Sequence, residues 1–331
     1  MTLTRLLLCL FLQYLLVTAS PAAAGFGLQA LDIPDPGHGT IKAIVWYPTA
    51  DTPQPTMPAD EAQAVASGRR IAGDRLPLVV LSHGTGGSAE GHRDTAWALA
   101  DAGFVVVALT HPGDNYADNS DYATRRQLTE RPRHVSRTLD YVLETWPHHG
   151  RIDRNRIGIF GFSMGGYTAL AGMGGRPDMA GLVAQCRTTP QKPACLALGG
   201  TDAIVRNFGD AALAIVPDPR LKAAFIAAPA LPALFLPNGL LAVRKPVELW
   251  AAQQDTLVPV EPDIAIVRDG LPVAPVSHVE PEAGHYAFLA PCTPAQKTAG
   301  HAICADPPGF DRSAFHRRLN TAVVAFFKRS L

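Results

Sequence analysis

The five residues Gly161-Phe162-Ser163-Met164-Gly165 decide how this chain folds. They follow the apolar run Ile157-Gly158-Ile159-Phe160, which is typical of a buried strand, and they lead into residues 166–171, which have helical composition. A Gly-x-Ser-x-Gly pentapeptide between a strand and a helix predicts a tight turn that presents the serine hydroxyl at the edge of a sheet. Because the pentapeptide also occurs by chance, its meaning depends on the elements around it.

Strands and helices are predicted to alternate along most of the chain. Residues 78–81 and 104–109 are continuous apolar runs, the pattern of parallel strands that are buried on both faces. Residues 89–102 and 133–146 have helical patterns. Further predicted elements are strands at 27–33, 41–47, 157–160, 223–227, 247–251 and 276–279, and a helix at 311–331. The alternation predicts an α/β fold, a mostly parallel central sheet with helices on both faces.

Residues 174–219 do not fit this alternation, so they are predicted to form an insertion near the active-site edge of the sheet. Residues 48–60, rich in Pro, Ala and Asp, are predicted to form a surface loop. The motifs run from residue 83 to residue 285 and must meet in one site. We therefore expect residues 25–331 to form a single domain.

A serine nucleophile needs an adjacent base that is oriented by an acid, and the chain order in this kind of site is Ser, acid, His. Asp255 follows the predicted strand 247–251, so it lies at the same sheet edge as Ser163. An Asp that only caps a turn is the alternative, which position and order disfavour. His285 lies in a loop after the last predicted strand, whereas its competitor His278 lies within that strand. The predicted catalytic residues are Ser163, Asp255 and His285.

The oxyanion of a tetrahedral intermediate needs backbone N–H donors. We assign one to Met164, directly after the nucleophile, and the other to Thr85 in the loop Ser82-His83-Gly84-Thr85-Gly86-Gly87-Ser88. A phosphate-binding turn is disfavoured, because the loop lacks the Lys-Ser/Thr ending of a P-loop. His83 is expected to brace this loop by hydrogen bonds. The residues predicted to line the substrate pocket are His83, His111, Phe162 and Tyr286.

The first 24 residues have the features of a cleaved signal peptide. Arg5 precedes an apolar stretch at residues 6–17, and Ala22-Ala23-Ala24 offers a cleavage site before Gly25. An uncleaved membrane anchor is the alternative, but the stretch is short for a membrane span. We expect an exported protein, periplasmic or secreted, with no stable membrane anchor after cleavage.

Four cysteines remain after the signal peptide, and an even number in an exported chain predicts disulfides. Proximity in sequence favours Cys186–Cys195 and Cys292–Cys304 among the three possible pairings, with free thiols as the alternative. No metal site is predicted, because zinc-binding spacings of Cys and His are missing from the sequence. The 29 basic and 29 acidic residues are balanced, which gives no support for a nucleic-acid partner.

Several motifs together resemble the bacterial exported proteins known as predicted dienelactone hydrolases, which have an α/β-hydrolase fold. They are Val45-Trp46-Tyr47-Pro48, Leu81-Ser82-His83-Gly84-Thr85-Gly86-Gly87, Thr110-His111-Pro112-Gly113-Asp114, Gly161-Phe162-Ser163-Met164-Gly165-Gly166 and Gly284-His285. The chain is also similar to platelet-activating-factor acetylhydrolases and, more distantly, to cutinases, whose acid loop the segment 255–259 resembles. True dienelactone hydrolases are cytosolic and carry cysteine at the position of Ser163, whereas this chain carries serine there and has a predicted signal peptide.

These observations predict an exported serine hydrolase that cleaves carboxylic esters through an acyl-enzyme and needs no cofactor. A small-molecule or lipid-like ester is the expected substrate. The alternatives are an amidase or peptidase with the same three residues, a catalytically silent binding module, and an acyltransferase.

Overall fold

The computed structural model describes residues 25–51, 65–67, 70–209 and 213–331. The predicted signal peptide at 1–24 and most of the predicted surface loop at 48–60 lie outside these residues.

A nine-stranded sheet forms the centre of the described part of the chain. The strands are β1 (Gly25–Asp35), β2 (Gly39–Thr49), β3 (Val65–Ser67), β4 (Leu76–Ser82), β5 (Val105–Thr110), β6 (Ile152–Phe162), β7 (Leu221–Ala227), β8 (Val247–Ala252) and β9 (Val276–Glu280). Their spatial order is β3-β1-β2-β5-β4-β6-β7-β8-β9. All neighbours from β5 to β9 are parallel, while β2 is antiparallel to both β1 and β5. The prediction of a mostly parallel sheet is confirmed.

Helices cover both faces of the sheet. In the described residues they are α1 (Arg93–Asp101), α2 (Arg125–Glu144), α3 (Met164–Gly172), α4 (Met179–Thr188), α5 (Pro193–Ala197), α6 (Thr201–Phe208), α7 (Ala265–Gly270), α8 (Pro294–Thr298) and α9 (Arg312–Ser330). Side chains of α1 and α9 belong to one apolar core and those of α2 and α3 to another. The central strands β4, β5, β7 and β8 are buried along almost their whole length because each face packs against one of these cores.

Helix α2 begins eight residues earlier than the sequence pattern predicted, despite the proline in its interior. Thr124 caps its first turn by accepting a hydrogen bond from the Gln127 amide. Pro132 has no N–H to donate to the carbonyl of Leu128, four residues earlier. The Tyr167 hydroxyl donates to that carbonyl instead, at 3.2 Å. This tertiary contact explains why the helix continues through Pro132.

The segment between α3 and β7 contains α4, α5 and α6. A disulfide between Cys186 and Cys195 joins α4 to α5, and a second joins Cys292 to Cys304. Both predicted pairings are confirmed. None of the helices in the described ranges is long and apolar enough to span a membrane.

Candidate active site

Ser163 lies on a strained turn between β6 and α3. Its φ is +53° and its ψ is −117°, a conformation that L-residues rarely adopt. A Cβ atom on Gly161 would lie 2.1 Å from the carbonyl oxygen of Gly165, and one on Gly165 would lie 1.8 Å from that of Ser82. Both flanking positions therefore require glycine, and the turn has the geometry of a nucleophile elbow.

The structure brings Ser163, His285 and Asp255 together from the ends of β6, β9 and β8. The His285 Nε2 atom lies 3.1 Å from the Ser163 hydroxyl oxygen, and its Nδ1 lies 2.6 Å from Asp255 Oδ2. The other oxygen of Asp255 accepts the amides of Leu257 and Val258, both at 2.8 Å. Since Nδ1 donates to the carboxylate, Nε2 is free to accept the serine proton.

His285, the candidate base, lies on a short 3₁₀ turn, His285–Phe288, which two other histidines hold in place. His92, just before α1, donates from Nδ1 to the Phe288 carbonyl at 3.2 Å. His316 of α9 contacts the Ala287 carbonyl at 2.8 Å and the Asp94 carboxylate at 2.6 Å. The position of His285 is thus set by both helices that cover this face of the sheet.

His278, the competing candidate, lies elsewhere. It is on β9, where its ring stacks on Trp250 and its Nε2 lies 3.5 Å from Glu248. Neither neighbour belongs to the Ser163 elbow, so the geometry favours His285 as the base.

Of the two residues assigned to the oxyanion hole, Met164 belongs to the elbow and Thr85 to a neighbouring loop. Met164 is the first residue of α3, so its amide has no acceptor within the helix. Thr85 lies in the loop after β4, and both residues line the cavity that contains Ser163. Gly84 packs against the Phe162 ring and Ser163, which brings this loop close to the nucleophile.

The prediction that His83 and His111 line the pocket is not matched by the structure, which buries both rings beneath the loop 82–88, here called the oxyanion loop. His83 accepts the amide of His111 at 3.1 Å and donates to the Gly84 carbonyl at 2.6 Å. His111 contacts the Ser82 hydroxyl at 2.9 Å and the His134 ring at 3.3 Å. The reason is topological: β4 and β5 are neighbours, so the residues that end them pack against each other. His83 does brace the loop, as expected.

Sequence reasoning missed the charged group that fixes the oxyanion loop. Asp114 and Arg131 form a fully buried ion pair at 2.6 Å. The Asp114 carboxylate also accepts the Gly86 amide at 3.0 Å, and Arg131 donates to the carbonyl of His83. Burial would raise the pKa of Asp114, but the charge of Arg131 and the hydrogen bonds outweigh it and lower that pKa. An arginine inside an amphipathic helix gives no sequence signal for such a role.

Four histidines around the site are held neutral. Burial is the largest cause that lowers the pKa of His83 to about 3, of His92 to about 4 and of His134 to about 3. It also lowers the pKa of His111 well below its ordinary value. All four side chains are buried: His83 and His111 directly follow strands β4 and β5, His92 precedes α1, and His134 lies in α2.

The cavity at Ser163 has a volume of about 300 Å³. Phe162 and Tyr286, both predicted pocket residues, are part of its wall. The segment between α3 and β7 contributes Ala194, Ala197 and Leu198. The remaining lining residues are Gly84, Thr85, Tyr122, Gln127, Ser163, Met164, Ala230, Leu231, Leu257, Val258 and His285. Apart from Tyr122 and Tyr286, His285 is the only ionisable side chain among these described lining residues.

A larger groove of about 1140 Å³ lies between α1 and α9. Its lining residues include Asp94 and His316 but none of Ser163, Asp255 and His285. The smaller cavity is therefore the candidate site, because it contains Ser163 and His285. No group of three or more metal-binding side chains is found in the described ranges.

A nucleophile elbow on a mostly parallel sheet, with helices on both faces, defines the α/β-hydrolase class of proteins. Within that class, the chain belongs to the dienelactone hydrolase family, which residues 62–234, just over half of the chain, match. Family membership makes it a hydrolase that acts on esters. No curated protein matches the chain.

Among solved structures, the chain is similar to a ferulic acid esterase from Streptomyces cinnamoneus. The TM-score is 0.63 and the sequence identity 20%, over 95% of this chain and 92% of that one. At this level of identity the likeness shows the shared fold.

Proposed function

We propose that the protein is an exported serine hydrolase that cleaves neutral carboxylic esters through an acyl-enzyme on Ser163. The observation that carries the proposal is the hydrogen-bonded series from Ser163 to His285, 3.1 Å, and from His285 to Asp255, 2.6 Å. The two disulfides support export, because disulfides persist in oxidising compartments.

In this mechanism the Ser163 oxygen attacks the ester carbonyl carbon while its proton passes to His285 Nε2. The carbonyl oxygen becomes an oxyanion, which the amides of Thr85 and Met164 stabilise. Collapse of this intermediate breaks the bond to the alcohol oxygen, which takes the proton from His285. Water then attacks the acyl-enzyme by the same steps, releasing the acid and regenerating Ser163. Asp255 stabilises the imidazolium that forms in each half-reaction.

The cavity wall supports a small, uncharged substrate. Its side chains are mostly apolar, and Lys, Arg, Asp and Glu are missing among the described lining residues. A charged acyl or alcohol group would lose its hydration there without gaining a partner. The volume of about 300 Å³ is at the lower end for small-molecule sites.

Covalent labelling with a fluorophosphonate tests the nucleophile. We expect wild type to be labelled on Ser163 and Ser163→Ala to resist labelling and lose several orders of magnitude in kcat with its fold intact. Ser277→Ala, on the exposed face of β9, is the matched control and keeps full activity. Near-normal ester hydrolysis by Ser163→Ala would overturn the proposal.

A substrate panel separates the alternative activities. The wild-type enzyme would be assayed with nitrophenyl esters of increasing chain length, a ferulate ester, a lactone and an anilide. Faster cleavage of the anilide would favour an amidase, and transfer to an added alcohol would favour an acyltransferase. A chain that resists the fluorophosphonate and cleaves nothing would be a silent binding module.

A further inference from the structure

Gln127, on the first turn of α2, contacts the oxyanion loop through its side chain. Its Nε2 atom donates to the Thr85 hydroxyl oxygen at 3.2 Å and to the Asp114 carboxylate at 2.8 Å. Its Oε1 atom accepts the amide of Ala123 at 3.1 Å. Since a backbone amide can only donate, this contact fixes which end of the Gln127 amide is oxygen.

The orientation of Gln127 decides what the Thr85 hydroxyl can do. Both hydrogens of Nε2 point at acceptors, so the Thr85 oxygen accepts from Gln127 and cannot donate to it. Asp114, the carboxylate that Gln127 also contacts, already accepts hydrogen bonds from Gln127, Arg131 and the Gly86 amide. No acceptor for the Thr85 hydroxyl hydrogen is found in the part of the chain that the structure describes. Thr85 itself is exposed and lines the cavity with Ser163.

We infer that the Thr85 hydroxyl is a third hydrogen-bond donor to the oxyanion, alongside the backbone amides of Thr85 and Met164. This inference rests on the proposed function. Gln127, held by Asp114, is a positioning residue, because it keeps the hydroxyl hydrogen directed into the cavity. Thr85 thus serves the reaction twice, once through its backbone and once through its side chain.

The physical reason for an effect on rate is the change of charge at the substrate oxygen. An ester carbonyl oxygen is a modest acceptor, whereas the tetrahedral oxyanion binds a donor in a charge-assisted hydrogen bond. The Thr85 hydroxyl therefore stabilises the transition state more than the bound ester, so its removal lowers kcat and leaves KM nearly unchanged.

The test uses Thr85→Val, which keeps the shape and the backbone amide but removes the hydroxyl. We expect kcat to fall about 10- to 100-fold. Thr85→Ser restores the hydroxyl and should return kcat to within about threefold of wild type. Thr321→Val, on the exposed side of α9, is the matched control with no expected change.

A trifluoromethyl ketone gives a second readout, because Ser163 adds to its carbonyl and forms a stable oxyanion. Its inhibition constant for Thr85→Val should rise by the same factor as kcat falls. An analogue with an ether in place of the ketone forms no oxyanion, so its dissociation constant should stay unchanged. A Thr85→Val enzyme with wild-type kcat would overturn the inference. So would a Thr85→Ser enzyme as slow as Thr85→Val, or a slower enzyme with unchanged ketone inhibition.

Failure of this inference can be told apart from failure of the proposed function. Complete fluorophosphonate labelling of Thr85→Val at Ser163 shows that the nucleophile and its base are intact. If instead Ser163→Ala hydrolyses esters normally, the proposed function fails whatever the Thr85 variants do.

Discussion

The cavity has two walls that are built in different ways. One consists mainly of loops at the carboxyl ends of β4, β6, β7, β8 and β9, with Gln127 of α2, and it contains Ser163, His285 and both residues assigned to the oxyanion hole. The other comes from the segment 174–219, which contributes the small or apolar side chains of Ala194, Ala197 and Leu198. Strand pairing and buried hydrogen bonds fix the first wall, whereas a disulfide ties α4 to α5 in the second. We call the first the chemical wall, because it contains Ser163 and His285. The second is the shaping wall, because its side chains limit the space for substrate.

The largest effect should follow from Asp255→Asn in the chemical wall. The variant keeps its shape but can no longer hold the His285 tautomer, so kcat should fall by about three to four orders of magnitude. Steady-state ester hydrolysis measures this loss. Asp269→Asn is the control, because Asp269 is exposed and pairs with Arg268. An inactive Asp269→Asn beside an active Asp255→Asn would mean that the acid has been misassigned.

Asp263 is a second carboxylate on the same connection as Asp255. It is buried and pairs with Lys192, just before α5. Asp263→Asn should therefore weaken the junction between the two walls, but it should leave the catalytic group untouched.

Acid should weaken the chemical wall before the shaping wall. The pKa of His83, His92, His111 and His134 lies below its ordinary value in the folded protein, so the unfolded chain binds more protons below about pH 6.5. The free energy of unfolding should then fall as the pH drops below about 6.5, because each histidine that is neutral in the folded protein takes up a proton on unfolding.

Thermal unfolding and amide hydrogen exchange at pH 7 and pH 5 measure this effect. The sequence 174–219 contains no histidine, so its own exchange should change less. Equal stability at the two pH values would show that these histidines are not held neutral by burial.

Opening the Cys186–Cys195 disulfide should loosen the shaping wall. A double substitution to serine is expected to lower the free energy of unfolding by about 2–3 kcal/mol on the chain-entropy argument. It should also reduce the discrimination between ester chain lengths. The double serine substitution of Cys292 and Cys304 serves as the comparison. The loop that this disulfide closes follows the His285 turn, so its loss should lower kcat rather than the discrimination between chain lengths. Denaturant unfolding and the ester panel separate the two outcomes.

The smallest effect is expected from Ala197→Phe, which fills part of the cavity from the shaping wall. The value of kcat/KM for a long acyl chain should fall about tenfold relative to the shortest ester. Leu196→Phe is the matched control, because Leu196 on the same helix is 58% exposed and does not line the cavity. Equal losses on short and long esters would place Ala197 in the chemical wall instead.

The sequence by itself determined the alternation of the main strands and helices and the elbow around Ser163. Continuous apolar runs identify strands that are buried on both faces, and the glycines beside Ser163 mark a turn that no other residue fits. The sequence also favoured the disulfide pairing found in the structure, because the two cysteines of each pair are close together in sequence. Asp255 and His285 were predicted from their position after strands, and the structure places them within hydrogen-bonding distance of each other.

Only the tertiary structure decided which polar side chains face substrate and which face the protein. His83 and His111 come from loops at the catalytic edge, yet strand order packs them against each other behind that edge. The roles of Asp114, Arg131 and Gln127 carry no local signal, since their partners lie on other loops and helices. Helix α2 continues through Pro132 because Tyr167, on another helix, satisfies a carbonyl. Burial and hydrogen-bond partners depend on long-range packing, which periodicity along the chain does not encode.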